Sequence, residues 1–212
     1  MNLPNFYFLK EDLLPLMQKH RTSPIVVFDL ETNGLNSRSS VLSCSALKLR
    51  YQGDTGSSGN TVPDLISGPL REIDAFERYY FSLEPENLSA IRINGLSVNV
   101  ITEKRAGHDW PPYFRDDRAF ESFCLDADLI VAHNIEFDIQ FVPFLADRDL
   151  FCTMKSNTIR KYPKLSELAA AFRIDVDLNK LHQSAYDTAL TALVFEHMVR
   201  KILPDLSQGE LF

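Results

Sequence analysis

PIVVFDLETNGL, residues 24–35, is the stretch whose reading decides the fold. Residues 24–30 form a short β-branched and aromatic run that reads as a strand. Asp29 and Glu31 stand two apart where that strand runs out, so the alternation of a strand points both carboxylates to the same side. Alone, such a pair reads as acids solvated at a strand end. Thr32, Asn33 and Gly34 follow as a turn, with Gly34 able to take a positive φ and let a ligand approach the backbone.

Working outward, residues 41–49 alternate as a second strand, residues 78–83 form a third that stops before Pro85, and residues 128–132 a fourth that follows a helix over 116–124. Helical spacing then dominates over 136–145, 165–172 and 184–202. In the last of these Leu190, Leu193, Val194 and Met198 share one face, and Pro204 marks the end. Strands first, then alternating strand and helix, predict an α/β fold with a mixed sheet, flanking helices and an active site at the strand ends. The 212 residues suit one domain. Its expected parts are a helical extension over residues 1–20, the main domain over 21–203 with an exposed Gly/Ser/Pro-rich excursion at 51–69, and a tail over 204–212.

A content of 45% hydrophobic and 24% charged residues predicts a folded soluble protein, and no apolar run reaches the length of a membrane span. The first 20 residues lack the basic-then-apolar order of a secretory signal, so the expected location is the cytoplasm. Cys44, Cys124 and Cys152 are odd in number and widely spaced, which predicts reduced core thiols rather than disulfides or a zinc site. A net charge of −7 argues against broad, charge-driven duplex binding.

Two further acids matter. Asp138 lies just past the fourth strand, where it reads as a helix-dipole acid behind Asn134 as N-cap. His182 precedes Asp187 by five residues with Ser184 as a cap between them, which puts the histidine in a loop and the acid on a helix. Each of these residues has a plain structural account by itself.

Taken together, FDLETNGL, VAHNIEFDIQF and HQSAYDTALTA resemble, in identity, order and spacing, the three motifs of the DEDDh exonucleases, the group that includes the proofreading epsilon subunit of bacterial DNA polymerase III. INGLS at residues 93–97 resembles the family's His-Gly-Ile-Thr turn, and KLSELAAAF its helix before the third motif. Three positions depart from the pattern: Asn94 stands where many members have His, Asn33 replaces a frequent Thr, and Cys152-Thr153 replaces the usual Asp-Thr outside the catalytic set.

The resemblance implies a ribonuclease H-like fold and removal of nucleoside 5′-monophosphates from the 3′ end of single-stranded or frayed, mismatched DNA. Asp29, Glu31, Asp138 and Asp187 would hold two Mg²⁺ or Mn²⁺ ions, about 3.5–4 Å apart in such sites, which also relieves the repulsion of clustered carboxylates. His182 would be the general base, since an imidazole titrates ordinarily near pH 6.5 and takes a proton from the attacking water. The chain around Thr32, Asn33, Gly34 and Leu35 would hold the terminal nucleotide with Leu35 wedged against a base, and Asn134 would line the same site. Lys155, Arg160, Lys161 and Lys164 form an acid-free segment in which Lys155 and Arg160 are candidates for phosphate contact, although a charge run is more often a solvated face. An enzyme that grips a few nucleotides needs only a local patch, and bound cations add positive charge, which reconciles the acidic balance with a nucleic-acid substrate.

Three alternatives stand beside this reading: an RNA 3′-end trimming exoribonuclease, a non-catalytic polymerase- or clamp-associated module, and a binuclear metallohydrolase using His133 and His182. The excess of oxygen ligands argues against the last. Finally, Gln208-Gly209-Glu210-Leu211-Phe212 resembles the Gln-x-x-Leu-Phe peptides that bind the bacterial sliding clamp, with folding of Leu211 and Phe212 back onto the protein as the competing account.

Overall fold

Ile25 and Val27 face one side of the first strand, β1 (Ile25–Thr32), and Val26, Phe28 and Leu30 face the other; all five are buried, as a central strand demands. The structure is a computed structural model that describes residues 10–53, 68–156 and 162–208, with side chains to residue 206. β2 (Val41–Tyr51) pairs antiparallel with β1, from Ile25 opposite Leu49 to Thr32 opposite Val41. On its far side β2 pairs antiparallel with β3 (Leu70–Tyr79). β4 (Leu129–Ala132) pairs parallel with β1 on the other edge, and β5 (Asp149–Cys152) parallel with β4, giving the order β3-β2-β1-β4-β5. The mixed sheet with flanking helices matches the expected ribonuclease H-like fold.

Helices cover both faces. The long α7 (Ser184–Gln208), with α1 (Lys10–Lys19) and α6 (Leu165–Ala171), buries Leu190, Val194, Met198, Leu13 and Met17 against Ile25, Val27 and Val131. On the opposite face α4 (Ala119–Phe123) sets Phe120 against Val26, Phe28 and Leu30. α2 (Leu88–Asn94) and α3 (Val98–Lys104) follow β3, and α5 (Ile135–Asp138) follows β4. The parallel β1–β4 ladder stops at the Val27–Val131 pair, so Asp29 and Glu31 project past it on the α7 side. No described helix is long and apolar enough to cross a membrane, and the three cysteines are free and buried.

Several boundaries differ from expectation, each for a physical reason. The third strand is Leu70–Tyr79 rather than 78–83: it is an edge strand whose Arg71, Glu72, Asp74 and Glu77 face water, so its sequence lacks an apolar run. The helix expected over 136–145 stops at Asp138 and resumes as a 3-10 turn at Pro143–Leu145, because Pro143 has no amide to continue the ladder. The helix expected over 116–124 is likewise a 3-10 turn, Phe114–Asp116, followed by α4. α7 passes through Pro204 to Gln208; burial of Ile202 and Leu206 beside α1 and the 2.7 Å Lys10–Asp205 ion pair outweigh the lost hydrogen bond. β5, α2 and α3 were not anticipated. Within the expected excursion at 51–69, residues 54–67 lie outside the described residues, as do Arg160, Lys161 and the last four residues of the tail.

Candidate active site

The four acids come from three elements that converge at the end of β1. Asp29 and Glu31 stand across the ladder from Ser45 and Ser43 of β2. Asp138, 4% exposed, closes α5, and its carboxylate accepts from its own amide and from the amide of Leu30. Leu30 lies past the end of the β4 ladder, so Asp138 receives an amide left without a strand partner there. Asp187, 8% exposed, sits in the first turn of α7, whose first hydrogen bond runs from its amide to Gln183 O at 2.9 Å. Ser184, expected as the cap, instead meets Ser45 hydroxyl to hydroxyl at 2.8 Å and pins the helix start to β2.

Glu31, His182 and Asp187 offer ligand atoms that all lie within 4.8 Å of one another. Asp29 Oδ2 and Asp187 Oδ1 are buried and, among the described residues, without a hydrogen-bond partner. Burial, followed by repulsion from Glu31, Asp138 and Asp187, pushes the Asp29 carboxyl well above the usual range. Burial and then Asp187 push Glu31 up to about 8, against a hydrogen bond from Asn94 that pulls it down. Burial also lifts Asp138 to about 8 and raises Asp187, the latter opposed by the amide and charge of His182. Orphaned carboxylate oxygens beside other acids are costly unless cations neutralise them, and hard divalent ions take oxygen ligands of this kind. The residues present therefore fit a divalent metal site.

His182 adopts a left-handed backbone with φ 64°, a conformation uncommon for residues other than glycine. It turns the His182 amide onto Asp187 Oδ2 at 2.9 Å and leaves the side chain exposed beside the acids. His133, the other histidine of the metallohydrolase alternative, is a scaffold residue. Its Nε2 donates to Pro163 O at 3.1 Å, its Nδ1 meets the Thr153 hydroxyl at 3.0 Å, and burial holds its imidazole down at about 4.

The residues expected to hold substrate divide. Leu35 is 87% exposed beyond the β1 end, and Asn134 is exposed at the start of α5, where its side chain makes no cap bond. The Asn33 side chain is engaged in the scaffold: it donates to Ser82 Oγ and Pro85 O and accepts from the Asn87 amide, at 2.9, 3.0 and 3.0 Å. The Thr32 hydroxyl donates to Gly34 O at 2.6 Å. Gly34 does not have a positive φ; a Cβ there would lie 2.7 Å from Ser39 Oγ, which a turn of the serine side chain relieves, so the expected backbone role for this glycine does not hold. Lys155 is ion-paired with Glu136. Sequence reasoning passed over Asn87, whose signal was an N-cap residue before an apolar run: it caps α2 and donates to Asn33 O at 2.9 Å.

A mixed sheet whose central strand ends in paired acids, completed by an acid from the next crossover and by a loop histidine ahead of an acid on the last helix, is the arrangement of the DEDDh-type 3′–5′ exonucleases, which the chain resembles. No family model matches the sequence. The chain is 25% identical over 218 residues to ribonuclease T of Pectobacterium atrosepticum, covering 91% of this chain and 88% of that one. It is 25% identical over 197 residues to the PolC-type DNA polymerase III of Bacillus subtilis, covering 86% of this chain but 12% of the polymerase, so the likeness is to one segment of it. Among solved structures, exonuclease X in complex with 5′ overhanging duplex DNA matches with a TM-score of 0.56 at 17% identity, over 84% of this chain and 92% of that one, a likeness of fold.

Proposed function

We propose that the chain hydrolyses the terminal phosphodiester at the 3′ end of single-stranded or frayed DNA and releases nucleoside 5′-monophosphates. The observation that carries the reading is the pair of buried, unpartnered oxygens, Asp29 Oδ2 and Asp187 Oδ1, beside Glu31 and His182. Asp29, Glu31, Asp138 and Asp187 would hold two Mg²⁺ or Mn²⁺ ions, which would supply positive charge against the scissile phosphate. The exposed His182 imidazole takes a proton from the attacking water as its oxygen bonds to phosphorus. The bond from phosphorus to the 3′ oxygen breaks, that oxygen takes a proton from solvent, and the shortened strand keeps a 3′-hydroxyl. Leu35 stands against the terminal base, and Asn134 reaches the same nucleotide from the α5 side. The terminal residues 208–212 serve as a tether to a sliding clamp.

Likeness to a ribonuclease T over 88% of its length supports RNA as the second substrate to test. The experiment offers 3′-labelled and 5′-labelled strands of matched DNA and RNA with Mg²⁺ or Mn²⁺. Immediate release of labelled mononucleotide from the 3′ label, with a descending ladder from the 5′ label, is expected for DNA. Release from the 5′ end, or hydrolysis that persists in EDTA, refutes the reading.

A further inference from the structure

We propose that Asn94 is a positioning residue for the reaction, fixing the Glu31 carboxylate and the Thr32 carbonyl where the acid cluster needs them; this rests on the proposed function above. Asn94 is the last residue of α2, and Gly95 at φ 72° ends the helix with a bond from its amide to Ile91 O at 2.8 Å. Ending there leaves the Asn94 side chain 7% exposed and against β1. Its Nδ2 donates to Thr32 O at 3.2 Å and also serves the Glu31 carboxylate, while its Oδ1 accepts from the Leu96 amide at 3.0 Å.

The other end of α2 is fastened to Asn33, the residue that follows β1. Asn87 caps the helix by accepting from the Ser89 amide at 3.0 Å and donates its Nδ2 to Asn33 O at 2.9 Å. α2 is therefore a splint laid along the exit of β1, bonded to the consecutive carbonyls of Thr32 and Asn33. Of these two fastenings, the one at Asn94 also touches a carboxylate of the acid cluster. A carboxylate crowded by like charges swings away from them unless a donor holds it, and a neutral amide does so without adding charge.

The test compares wild type, Asn94→Ala, Asn94→Asp and Asn94→His on a labelled single-stranded oligonucleotide at saturating Mg²⁺, with Asp29→Asn as the inactive control. Asp keeps an acceptor for the Leu96 amide, so it preserves the turn while removing the donor that faces Glu31. His returns a ring N–H. Misplacing a reacting group by an ångström costs up to about 100-fold. The expected result is a kcat lowered about 10- to 100-fold in the Ala and Asp variants, KM within about twofold, thermal midpoints in EDTA near wild type, and at least partial recovery of kcat in the His variant. Wild-type kcat in the Ala and Asp variants, with Asp29→Asn dead, overturns the positioning role and leaves the enzyme reading intact. A rise in KM alone makes Asn94 a substrate contact and overturns it as well. A loss of activity that tracks the folded fraction reduces Asn94 to a structural residue. A wild type without metal-dependent hydrolysis refutes the enzyme reading, and this role with it.

Discussion

The backbone amide of His182 donates to Asp187 Oδ2 at 2.9 Å, so the loop holding the histidine is tied to an acid of the cluster through main chain rather than through the imidazole. That tie does not depend on the ring, whose nitrogen lies within 4.8 Å of the Glu31 and Asp187 ligand atoms. His182→Ala is expected to lower turnover by about 10²–10⁴-fold, the usual worth of a general base, while the stabilisation given by Mn²⁺ stays near wild type. Single-turnover hydrolysis and thermal shift with Mn²⁺ check this on the same samples. Loss of the Mn²⁺ shift would make His182 a ligand instead.

Asp29 illustrates the opposite case, an acid whose cost to the fold is evident. Its Oδ2 is buried without a partner, and burial and three neighbouring carboxyls raise its pKa. Asp29→Asn is expected to abolish hydrolysis and to raise the thermal midpoint in EDTA, by about 2–4 °C for each kcal/mol of repulsion relieved. An active variant, or one that melts well below wild type, contradicts the metal assignment.

The same repulsion sets a pH dependence. Glu31 and Asp138 have pKa values of about 8 in the fold, above the usual carboxylate values near 4. A raised folded pKa gives stability that is fully present below the unfolded value and lost as pH rises through the folded one. The metal-free protein should thus melt at a lower temperature at about pH 9 than at about pH 6, and Mg²⁺ should raise the midpoint more at the higher pH. Scanning calorimetry with EDTA or Mg²⁺ measures both. A Mg²⁺ shift equal at the two values would mean that these carboxyls do not bind the ion.

His133 supplies a control for the metallohydrolase alternative. Removing its ring would take away the donor that the Pro163 carbonyl receives from Nε2. His133→Ala is expected to cost about 1–3 kcal/mol of stability by urea unfolding without changing the Mg²⁺ concentration for half-maximal hydrolysis. A changed metal requirement would return His133 to the site.

The sequence carried those features that depend on local chemistry. β1 was legible because a strand buried on both faces must be apolar from Ile25 to Phe28, and the acids because Asp29, Glu31, Asp138, His182 and Asp187 keep family order and spacing. What depends on tertiary contact was hidden. β3 was expected at 78–83 instead of Leu70–Tyr79 because an edge strand has water on most of its surface and so carries no apolar run. Gly34 suggested a positive φ, whereas the turn holds it at a backbone conformation open to other residues. Asn33 and Asn94 were visible as departures from a family pattern, but their bonds to the 82–87 segment and to Thr32 could not be read from the chain.

The tail gives the last prediction. α7 continues through Pro204, with Leu206 buried and Lys10 bound to Asp205, and ends at Gln208. The helix thus carries the chain to the first residue of the Gln-x-x-Leu-Phe match. Leu211 and Phe212 would be the apolar anchors, each worth about 1.5–3 kcal/mol when fully buried. That is enough for a weak contact, which shared attachment to one DNA strand would strengthen through effective concentration. Deleting residues 208–212 should abolish binding to the host's sliding clamp in a surface-plasmon measurement. It should leave hydrolysis of a free oligonucleotide unchanged, because the acids lie at the opposite end of α7. Substituting Leu211 and Phe212 together by Ala should reproduce the deletion. Equal clamp affinity with and without the tail, or none in either case, would dismiss the tether and leave the nuclease chemistry untouched.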